Sequence, residues 1–260
     1  MKILFFMSLC VFANARILEC DRFEKIQTYV NEETLILFDI DDTLMVPKQM
    51  LGSDEWFGYR CRFHREQGLD QGKALEKALA EWEAVRHLTE MEIVEEGTAQ
   101  AIRELQEKGF QCMGFTTQGL ALATRTAQQL RGLDIDLKKS IPFQDDCYLE
   151  LDNHGVLFRN GIFFTSGTNK GKALFALCEK MGYSPKKIVF INDKYSHLRE
   201  VEKVAEEKQV KFVGLRYGYS DGRKKCFSQE IADVQFNHSS FTHILSDAEA
   251  QAKIGSAKNN

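Results

Sequence analysis

The sequence has no long basic segment and no excess of positive charge. Its 260 residues include 34 lysines and arginines against 38 aspartates and glutamates, which gives a net charge of −4 at neutral pH. A protein that binds nucleic acid normally presents a basic face that neutralises phosphates. Nucleic acid is therefore not an expected partner.

No apolar run is long enough to form a stable membrane anchor. At the N-terminus, Lys2 is followed by a mostly apolar run over residues 3–13 and then by Ala-Asn-Ala. This order is typical of a signal peptide, here residues 1–15, that is cleaved before Arg16. We therefore expect an exported protein, periplasmic or secreted. An N-terminal core helix is the alternative interpretation of the same run.

The chain also has no Cys-x-x-Cys pair, the spacing typical of zinc and thiol redox sites. The cysteines that follow the predicted signal peptide lie far apart. We expect Cys112, in a strand-like segment, and Cys178, on an apolar helix face, to be buried free thiols. Export would permit disulfides among the others.

Internal repeats and low-complexity segments are absent as well, and 43% apolar with 28% charged residues is typical of a globular protein. Apolar strand-like segments occur at "TLILF", "FQCMGFTT", "KKIVFIND" and "VKFVGLRY". Helical patterns lie between them and end near Gly109, Gly132 and Gly182. This alternation predicts an α/β fold with a doubly wound parallel sheet, in which ligands bind at the carboxyl ends of the strands.

A helical insertion interrupts this alternation after the first strand. It covers residues 47–95 and divides the predicted core into residues 16–46 and 96–260. We expect the insertion to cover the ligand end of the sheet as a small cap. Its second helix is predicted to bury one apolar stripe. The stripe contains Leu75, Leu79, Trp82 and Val85.

Two other segments are predicted outside the main alternation. Residues 144–166 alternate between apolar and polar side chains and contain turn residues at 153–155 and 160–161. This pattern indicates a small antiparallel excursion. Residues 17–30 carry Phe23, Ile26 and Tyr29 at helical spacing, which predicts a helix before the first core strand.

Three aspartates follow the first core strand within four positions. They are Asp39, Asp41 and Asp42 in "TLILFDIDDTLM", residues 34–45. Carboxylates this close disfavour one another's ionisation, so a cation is expected to compensate them. Mg²⁺ seeks such hard oxygen ligands. As simple turn residues the three carboxylates would remain uncompensated, so this stretch predicts a metal site.

Four motifs in this order resemble the haloacid dehalogenase (HAD) superfamily. "FDIDDTL" resembles its first signature, "CMGFTT" the second, "NKGKALFAL" the third and "IVFIND" the fourth. The chain is also similar to uncharacterised, signal-peptide-bearing bacterial HAD-like proteins. The resemblance covers most of residues 34–217 and implies a Rossmann-like HAD core with a small helical cap.

The resemblance also implies a reaction. Asp39 would be the nucleophile that forms an aspartyl-phosphate. Asp41 would protonate the leaving alcohol and then deprotonate water. Thr116, with Thr117 as the alternative at the strand end, would bind the phosphoryl group.

The remaining roles concern charge. The resemblance implies that Lys170, with Lys172 as the alternative, balances the charges of the nucleophile and the phosphate. Mg²⁺ would be held by Asp39, the backbone carbonyl of Asp41, and Asp193. The sequence departs from the family pattern at two positions that concern metal affinity. They are Asn192, directly before Asp193, and His197.

These residues predict a magnesium-dependent phosphatase that acts on a small phosphorylated substrate. A phosphotransferase that uses the same residues, and a non-catalytic secreted binding module on the same fold, are the alternatives. Within the cap, "DEWFGYRCRFHRE" at residues 54–66 could contact an anionic or ring-bearing substrate, or could be a helix with one packed face. No pattern indicates an oligomeric state.

Overall fold

The computed structural model describes residues 16–141, 143, 146–240 and 242–258. The predicted signal peptide, residues 1–15, lies outside the described residues. The strands are β1 (Arg16–Cys20), β2 (Thr34–Phe38), β3 (Met45–Pro47), β4 (Met91–Ile93), β5 (Gln111–Thr116), β6 (Cys147–Leu151), β7 (His154–Arg159), β8 (Ile162–Phe164), β9 (Lys187–Asn192) and β10 (Lys211–Tyr217). The α-helices are α1 (Asp54–Glu66), α2 (Gln71–Leu88), α3 (Thr98–Glu107), α4 (Ala123–Gly132), α5 (Lys170–Lys180), α6 (Tyr195–Glu207), α7 (Asp221–Lys225), α8 (Gln229–His238) and α9 (Asp247–Lys258).

A mostly parallel sheet forms the centre of the molecule. Its eight strands lie in the order β1-β10-β9-β2-β5-β8-β7-β6. Among these described strands, β7 alone runs in the opposite direction. β3 and β4 form a separate antiparallel pair. The predicted doubly wound α/β fold is confirmed.

Strand β2 is covered on both faces of the sheet. Ile36 and Phe38 lie in the apolar cluster that includes α3 and α4, whereas Leu35 and Leu37 lie in the cluster that includes α5 and α6. Successive side chains of a strand point to opposite faces, so a strand buried on both faces shows no polar alternation. β2 lies between β5 and β9, so the aspartates that follow it emerge near the middle of the sheet's carboxyl edge.

The first segment before β2 differs from its prediction. Arg16–Cys20 form the edge strand β1, parallel to β10, so the prediction of a helix there was wrong. The helical spacing that follows corresponds to a 3-10 helix, Phe23–Tyr29, in which Phe23 and Ile26 are buried. Of the five β1 residues only Cys20 is buried. Periodicity did not reveal this strand because it is short, and Ile17 and Leu18 are only partly buried, each against a different core cluster.

Helices α1 and α2 form a helical hairpin within the predicted cap, and β3 and β4 pair at its base. The Ser53 side chain accepts a hydrogen bond from the Trp56 backbone N–H and caps α1. The Asp70 side chain caps α2 through the Lys73 N–H. Such caps satisfy backbone donors that the first helical turn leaves unpaired. The boundaries of the cap at residues 47 and 95 stay a prediction.

The predicted apolar stripe of α2 was wrong at two positions. Leu75 is 49% exposed and Leu79 37% exposed. The buried face is instead formed by Ala74, Ala78, Trp82, Val85 and Arg86. Short alanine side chains allow close helix packing. The buried face is therefore shifted by one position along the sequence, from Leu75 and Leu79 to Ala74 and Ala78.

The antiparallel excursion is present over the described residues from Cys147 to Phe164. Its first turn is shorter than predicted, because β6 ends at Leu151 and β7 begins at His154. The two turn residues, Asp152 and Asn153, have φ of 49° and 62°. Two residues with positive φ are typical of a tight hairpin turn.

Helix α8 packs against the cap. The Tyr59 hydroxyl donates to Asp233 Oδ2 at 2.7 Å, and the Leu51 N–H donates to Gln235 Oε1 at 2.9 Å. Gln235 also donates to Asp247 Oδ1 at 2.7 Å, which joins α9 to the same contact. The C-terminal helices therefore hold the cap hairpin in place.

The predicted thiols are found in the core. Cys112 and Cys178 are buried and unpaired, which confirms the prediction. Burial raises the pKa of each thiol to about 12. A thiol with so high a pKa forms little of the reactive thiolate at neutral pH.

A glycine allows α5 to approach α6 closely. A Cβ atom at Gly171 would lie 2.1 Å from the backbone oxygen of Glu200. We therefore expect Gly171→Ala to lower the free energy of unfolding by about 2 kcal/mol or more, measured by urea unfolding. The control is Gly255→Ala in α9, where no atom lies within 4 Å. It should raise the free energy of unfolding by up to about 1 kcal/mol, because alanine favours helix more than glycine does. If Gly171→Ala and Gly255→Ala changed the free energy of unfolding equally, the close approach of α5 to α6 would be contradicted.

Candidate active site

The carboxylates of the first motif lie in the loop after β2. The Asp39 backbone N–H donates to the Ile191 carbonyl at 3.0 Å and continues the pairing with β9. Asp42 has φ of 60°, and its N–H donates to the Met45 carbonyl at 3.1 Å. This tight reversal keeps Asp39, Asp41 and Asp42 at the carboxyl edge of the sheet.

Lys170, the first residue of α5, is fully buried against this loop. Its Nζ lies 2.5 Å from Asp39 Oδ1 and donates to the Phe115 carbonyl at 2.7 Å. The same Nζ lies 5.0 and 5.1 Å from the ring centroids of Phe115 and Phe190. Lys172 is 70% exposed and faces Asp152. Of the two predicted lysines, the structure brings Lys170 to Asp39.

The environment of Asp39 combines burial with two hydrogen-bonding neighbours. Burial raises the pKa of the Asp39 carboxyl, and the Lys170 ammonium opposes this. The Thr43 hydroxyl lies 3.4 Å from Asp39 Oδ2 and accepts a hydrogen bond from the Asp193 N–H at 3.2 Å. Thr43 thus joins the loop after β2 to the loop after β9.

Asp41 is held between the cap and the core. Arg86 Nη2 of α2 lies 2.7 Å from Asp41 Oδ1, and Gln118 Nε2 donates to Asp41 Oδ2 at 2.8 Å. The Thr126 hydroxyl donates to Gln118 Oε1 at 2.5 Å and fixes that amide. Burial raises the pKa of Asp41, and the Arg86 guanidinium opposes it. A cap residue therefore reaches a carboxylate of the core.

The sequence did not identify Arg86 or Gln118 as site residues. Arg86 follows Trp82 at a four-residue spacing and is almost fully buried, with its guanidinium 4.9 Å from the Trp82 ring centroid. A charged residue on the apolar side of a predicted helix was the signal that could have found it. Gln118 directly follows the second motif, so its position at a strand end was a weaker signal.

The two predicted threonines lie at the end of β5. Thr116 is buried, and its hydroxyl oxygen accepts a hydrogen bond from the Gln118 N–H at 3.1 Å. Thr117 is half-buried, and its carbonyl accepts from the Gly167 N–H at 3.0 Å. Both lie at the same edge of the sheet as Asp39. The choice between them as the phosphoryl-binding hydroxyl stays a prediction.

The loops after β2 and β9 bring two carboxylates together. Asp193 directly follows β9, and its pKa is raised to about 6 by burial and by the negative charge of Asp39. Two carboxylates and the backbone carbonyl of Asp41 are hard oxygen donors, which fit Mg²⁺. Among the described residues no group of three or more His, Cys, Asp or Glu side chains forms a metal cluster.

Two lysines that the sequence did not single out enter the same region. Lys224 Nζ of α7 forms an ion pair with Asp193 and lies 3.6 Å from Asp42 Oδ2. Lys194 Nζ forms an ion pair with Asp54, the first residue of α1. Burial and the charge of Asp54 raise the pKa of Asp42 to about 8, although Lys224 opposes this. The acidic cluster is thus largely compensated by the protein's own cations.

The two departures from the family pattern have distinct surroundings. Asn192 is buried, and its Oδ1 accepts a hydrogen bond from the Lys194 N–H at 2.7 Å, which shapes the turn that presents Asp193. His197 Nδ1 lies 3.5 Å from Asn192 Nδ2. Burial, with the charges of Lys170 and Lys194, lowers the pKa of His197 to about 3. Its imidazole is therefore neutral at pH 7.

The aromatic and basic segment of the cap, residues 54–66, is helix α1. Arg60 forms two hydrogen bonds to Glu81 of α2 at 2.7 and 3.0 Å. His64 Nε2 lies 3.0 Å from Glu81 Oε1. Trp56 is fully buried. These contacts lie within the hairpin and agree with a helix that has one packed face.

Comparison with known proteins gives the family of this chain. A family model described as "Protein of unknown function (DUF2608)" matches residues 19–251. The chain belongs to this family. The match includes the cap hairpin, the sheet from the end of β1 onward, helix α8 and the first residues of α9 of this DUF2608 protein.

The DUF2608 protein is similar to chlamydial proteins. A "Putative outer membrane protein" of Chlamydia pneumoniae is 23% identical over 219 residues, which cover 80% of each chain. A protein of the same name from Chlamydia muridarum is 25% identical over 210 residues, 80% of this chain and 78% of the relative. A solved HAD-superfamily hydrolase of subfamily IA from Geobacter sulfurreducens is 14% identical. It covers 73% of this chain and 98% of that chain, with a TM-score of 0.41.

Across the part of the DUF2608 chain that the structure describes, no helix combines the length and the apolarity needed to cross a membrane.

Proposed function

We propose that the protein is a magnesium-dependent phosphate monoester hydrolase of HAD type that works through an aspartyl-phosphate on Asp39. The observation that carries this proposal is the buried Lys170–Asp39 ion pair at the carboxyl edge of the sheet. A buried ion pair is costly to desolvate and is a weak source of stability. Its occurrence where parallel sheets bind ligands supports a catalytic role.

The charge at the reacting carboxylate supports a metal requirement. Four cations lie among five carboxyl groups, and the pKa of Asp42 is raised to about 8, so this group is mostly protonated at neutral pH and the cations are matched by the remaining carboxylates. The cations are Arg86, Lys170, Lys194 and Lys224, and the carboxylates are Asp39, Asp41, Asp42, Asp54 and Asp193. A phosphate dianion that approaches the Asp39 carboxylate is repelled by its negative charge, and Lys170 already pairs with that carboxylate. Asp39, Asp193 and the backbone carbonyl of Asp41 would hold Mg²⁺, which when bound supplies the positive charge that a phosphoryl group needs.

In the first step, an Asp39 carboxylate oxygen attacks phosphorus while Lys170 holds that carboxylate in place. The bond between phosphorus and the leaving oxygen breaks, and Asp41 gives its proton to that oxygen. Burial raises the pKa of Asp41, so a proton is more readily available there than on an exposed aspartate. The product of this step is the aspartyl-phosphate and a free alcohol.

In the second step, Asp41 accepts a proton from a water molecule as the water oxygen attacks phosphorus. The bond between phosphorus and Asp39 breaks, and phosphate is released. Arg86 and Gln118 both stabilise the carboxylate form of Asp41, which is the form that accepts this proton. We assign these two as positioning residues, and the hydroxyl of Thr116 or Thr117 as the donor to the phosphoryl group.

The proposal is tested with para-nitrophenyl phosphate and the mature chain. We expect turnover in millimolar Mg²⁺ that a chelator abolishes and added Mg²⁺ restores. Mg²⁺ should also raise the melting temperature, because a ligand that binds only the folded state stabilises it. If the protein shows no turnover and Mg²⁺ causes no thermal shift, the proposal is contradicted and a non-catalytic binding module is favoured.

Export to the periplasm or the cell exterior is part of the proposal. The order of charged, apolar and small residues before Arg16 supports it. The name of the chlamydial relatives, outer membrane proteins, is compatible with an exported protein. N-terminal sequencing of the exported protein should begin at Arg16, and an intact Met1 would contradict the cleavage.

A further inference from the structure

We infer that Lys224 is a built-in competitor for the magnesium site, because its ammonium group occupies the Asp193 carboxylate that a metal ion would bind. The inference rests on the proposed function, since it takes Asp193 as a ligand of Mg²⁺. Lys224 Nζ forms its ion pair with Asp193 Oδ2. The Asp193 side chain is only 2% exposed, so water screens this pair poorly.

The position of Lys224 is fixed by the helix that carries it. The Arg216 guanidinium of β10 binds Asp221 at the start of α7 through two hydrogen bonds of 2.5 and 2.9 Å. Near the other end of α7, Arg223 Nη1 binds Glu92 of β4 at 2.7 Å. Short helix α7 is therefore tied to the central sheet and to the base of the cap. The approach of Lys224 to Asp193 is a consequence of this anchoring.

An ammonium group and a magnesium ion cannot share Asp193 without a cost. Both are cations, and two cations on one buried carboxylate repel each other strongly where water is excluded. Mg²⁺ also requires direct coordination by the carboxylate oxygens. The Lys224 ammonium contacts Oδ2 of Asp193, so metal binding at this carboxylate is opposed by the ammonium and favours its movement away.

Asp42 is a second acceptor for the displaced ammonium. Lys224 Nζ already lies 3.6 Å from Asp42 Oδ2. That oxygen is buried and has no hydrogen-bond partner. A small movement of the lysine side chain would exchange Asp193 for Asp42 and would not expose the charge to an apolar environment. The Lys224 ammonium can therefore leave Asp193 when a metal ion binds, at a moderate cost in free energy.

The test is calorimetric titration of Mg²⁺ into the mature protein and its variants. We expect Lys224→Met to bind Mg²⁺ at least about tenfold more tightly, since a hydrogen bond between charged groups no longer has to be broken. Lys194→Met is the matched control for charge alone, because Lys194 is near the site but pairs with Asp54. It should tighten binding much less. Lys224→Arg should keep the affinity low, because it keeps the cation.

Several results would overturn the inference. Equal Mg²⁺ affinities in wild type and Lys224→Met, or equal gains in the Lys224→Met and Lys194→Met variants, would exclude competition while leaving the phosphatase proposal intact. Absence of Mg²⁺ binding in every variant would also overturn the inference that Lys224 competes for the magnesium site. The para-nitrophenyl phosphate assay decides separately whether the proposed function also fails. If Lys224→Met does not fold, Lys224→Gln, which has no charge, replaces it with the same expected tightening.

Discussion

Replacement of Asp39 by asparagine is expected to lower kcat for para-nitrophenyl phosphate by at least about a thousandfold. The amide has nearly the shape of the carboxylate but is not a nucleophile, so no phosphoryl group can be transferred to it. The substitution also removes a proposed ligand of Mg²⁺, which acts in the same direction. Steady-state hydrolysis in saturating Mg²⁺ measures this effect.

A folding control is needed because Asp39→Asn leaves the buried Lys170 ammonium without its anion. Urea unfolding separates a chemical loss from a loss of structure. Asp134→Asn is the matched substitution at an exposed position outside the site, and it should leave kcat unchanged.

A second measurement reports the covalent intermediate itself. Acid quenching of the wild-type protein during turnover of a labelled phosphomonoester should trap label on the protein, and Asp39→Asn should trap none. A folded Asp39→Asn variant that still turns over or still traps label would show that Asp39 is not the nucleophile.

The central strands were predictable because burial on both faces leaves a clear pattern. Strands β2, β5, β9 and β10 are mostly apolar and almost entirely buried. The edge strand β1 was not predictable, because it is short, its partner β10 is distant in sequence, and its side chains apart from Cys20 are exposed or only partly buried. A pattern of side chains detects burial, not backbone pairing.

The core of the candidate site followed from topology. Asp39 directly follows one parallel strand and Asp193 directly follows its neighbour, and the carboxyl ends of parallel strands meet at one edge. The choice of Lys170 over Lys172 has a physical basis in helix geometry, because residues two apart in a helix point to different sides. Lys170 is fully buried beside Asp39, whereas Lys172 is 70% exposed.

The cations that complete the site could not be predicted in the same way. Lys194 pairs with Asp54 across 140 residues of sequence, and Lys224 pairs with Asp193 across 31. Arg86 reaches Asp41 only because the cap hairpin folds back over the sheet. These pairings depend on the path of the cap and of α7, for which the sequence has no periodic signal.

Replacement of Asp41 by asparagine is expected to separate the two steps of the reaction. With an alkyl phosphate, whose alkoxide leaves poorly without a proton, we expect turnover to fall by about a hundredfold to ten-thousandfold. With para-nitrophenyl phosphate the first step should be far less affected, because nitrophenolate leaves without a proton. Hydrolysis of the aspartyl-phosphate should be slow with either substrate, since water has lost its base.

The variant should therefore show burst kinetics with para-nitrophenyl phosphate. Rapid mixing should release about one nitrophenolate per active site, followed by a slow steady phase that reports hydrolysis of the intermediate. The alkyl phosphate should give no burst, because its first step is already slow. Asparagine can still accept from Arg86 through its amide oxygen, so the cap contact need not be lost. A similar fractional loss with both substrates and no burst would contradict the acid and base roles of Asp41. It would instead indicate that the Arg86–Asp41 pair mainly holds the cap against the core.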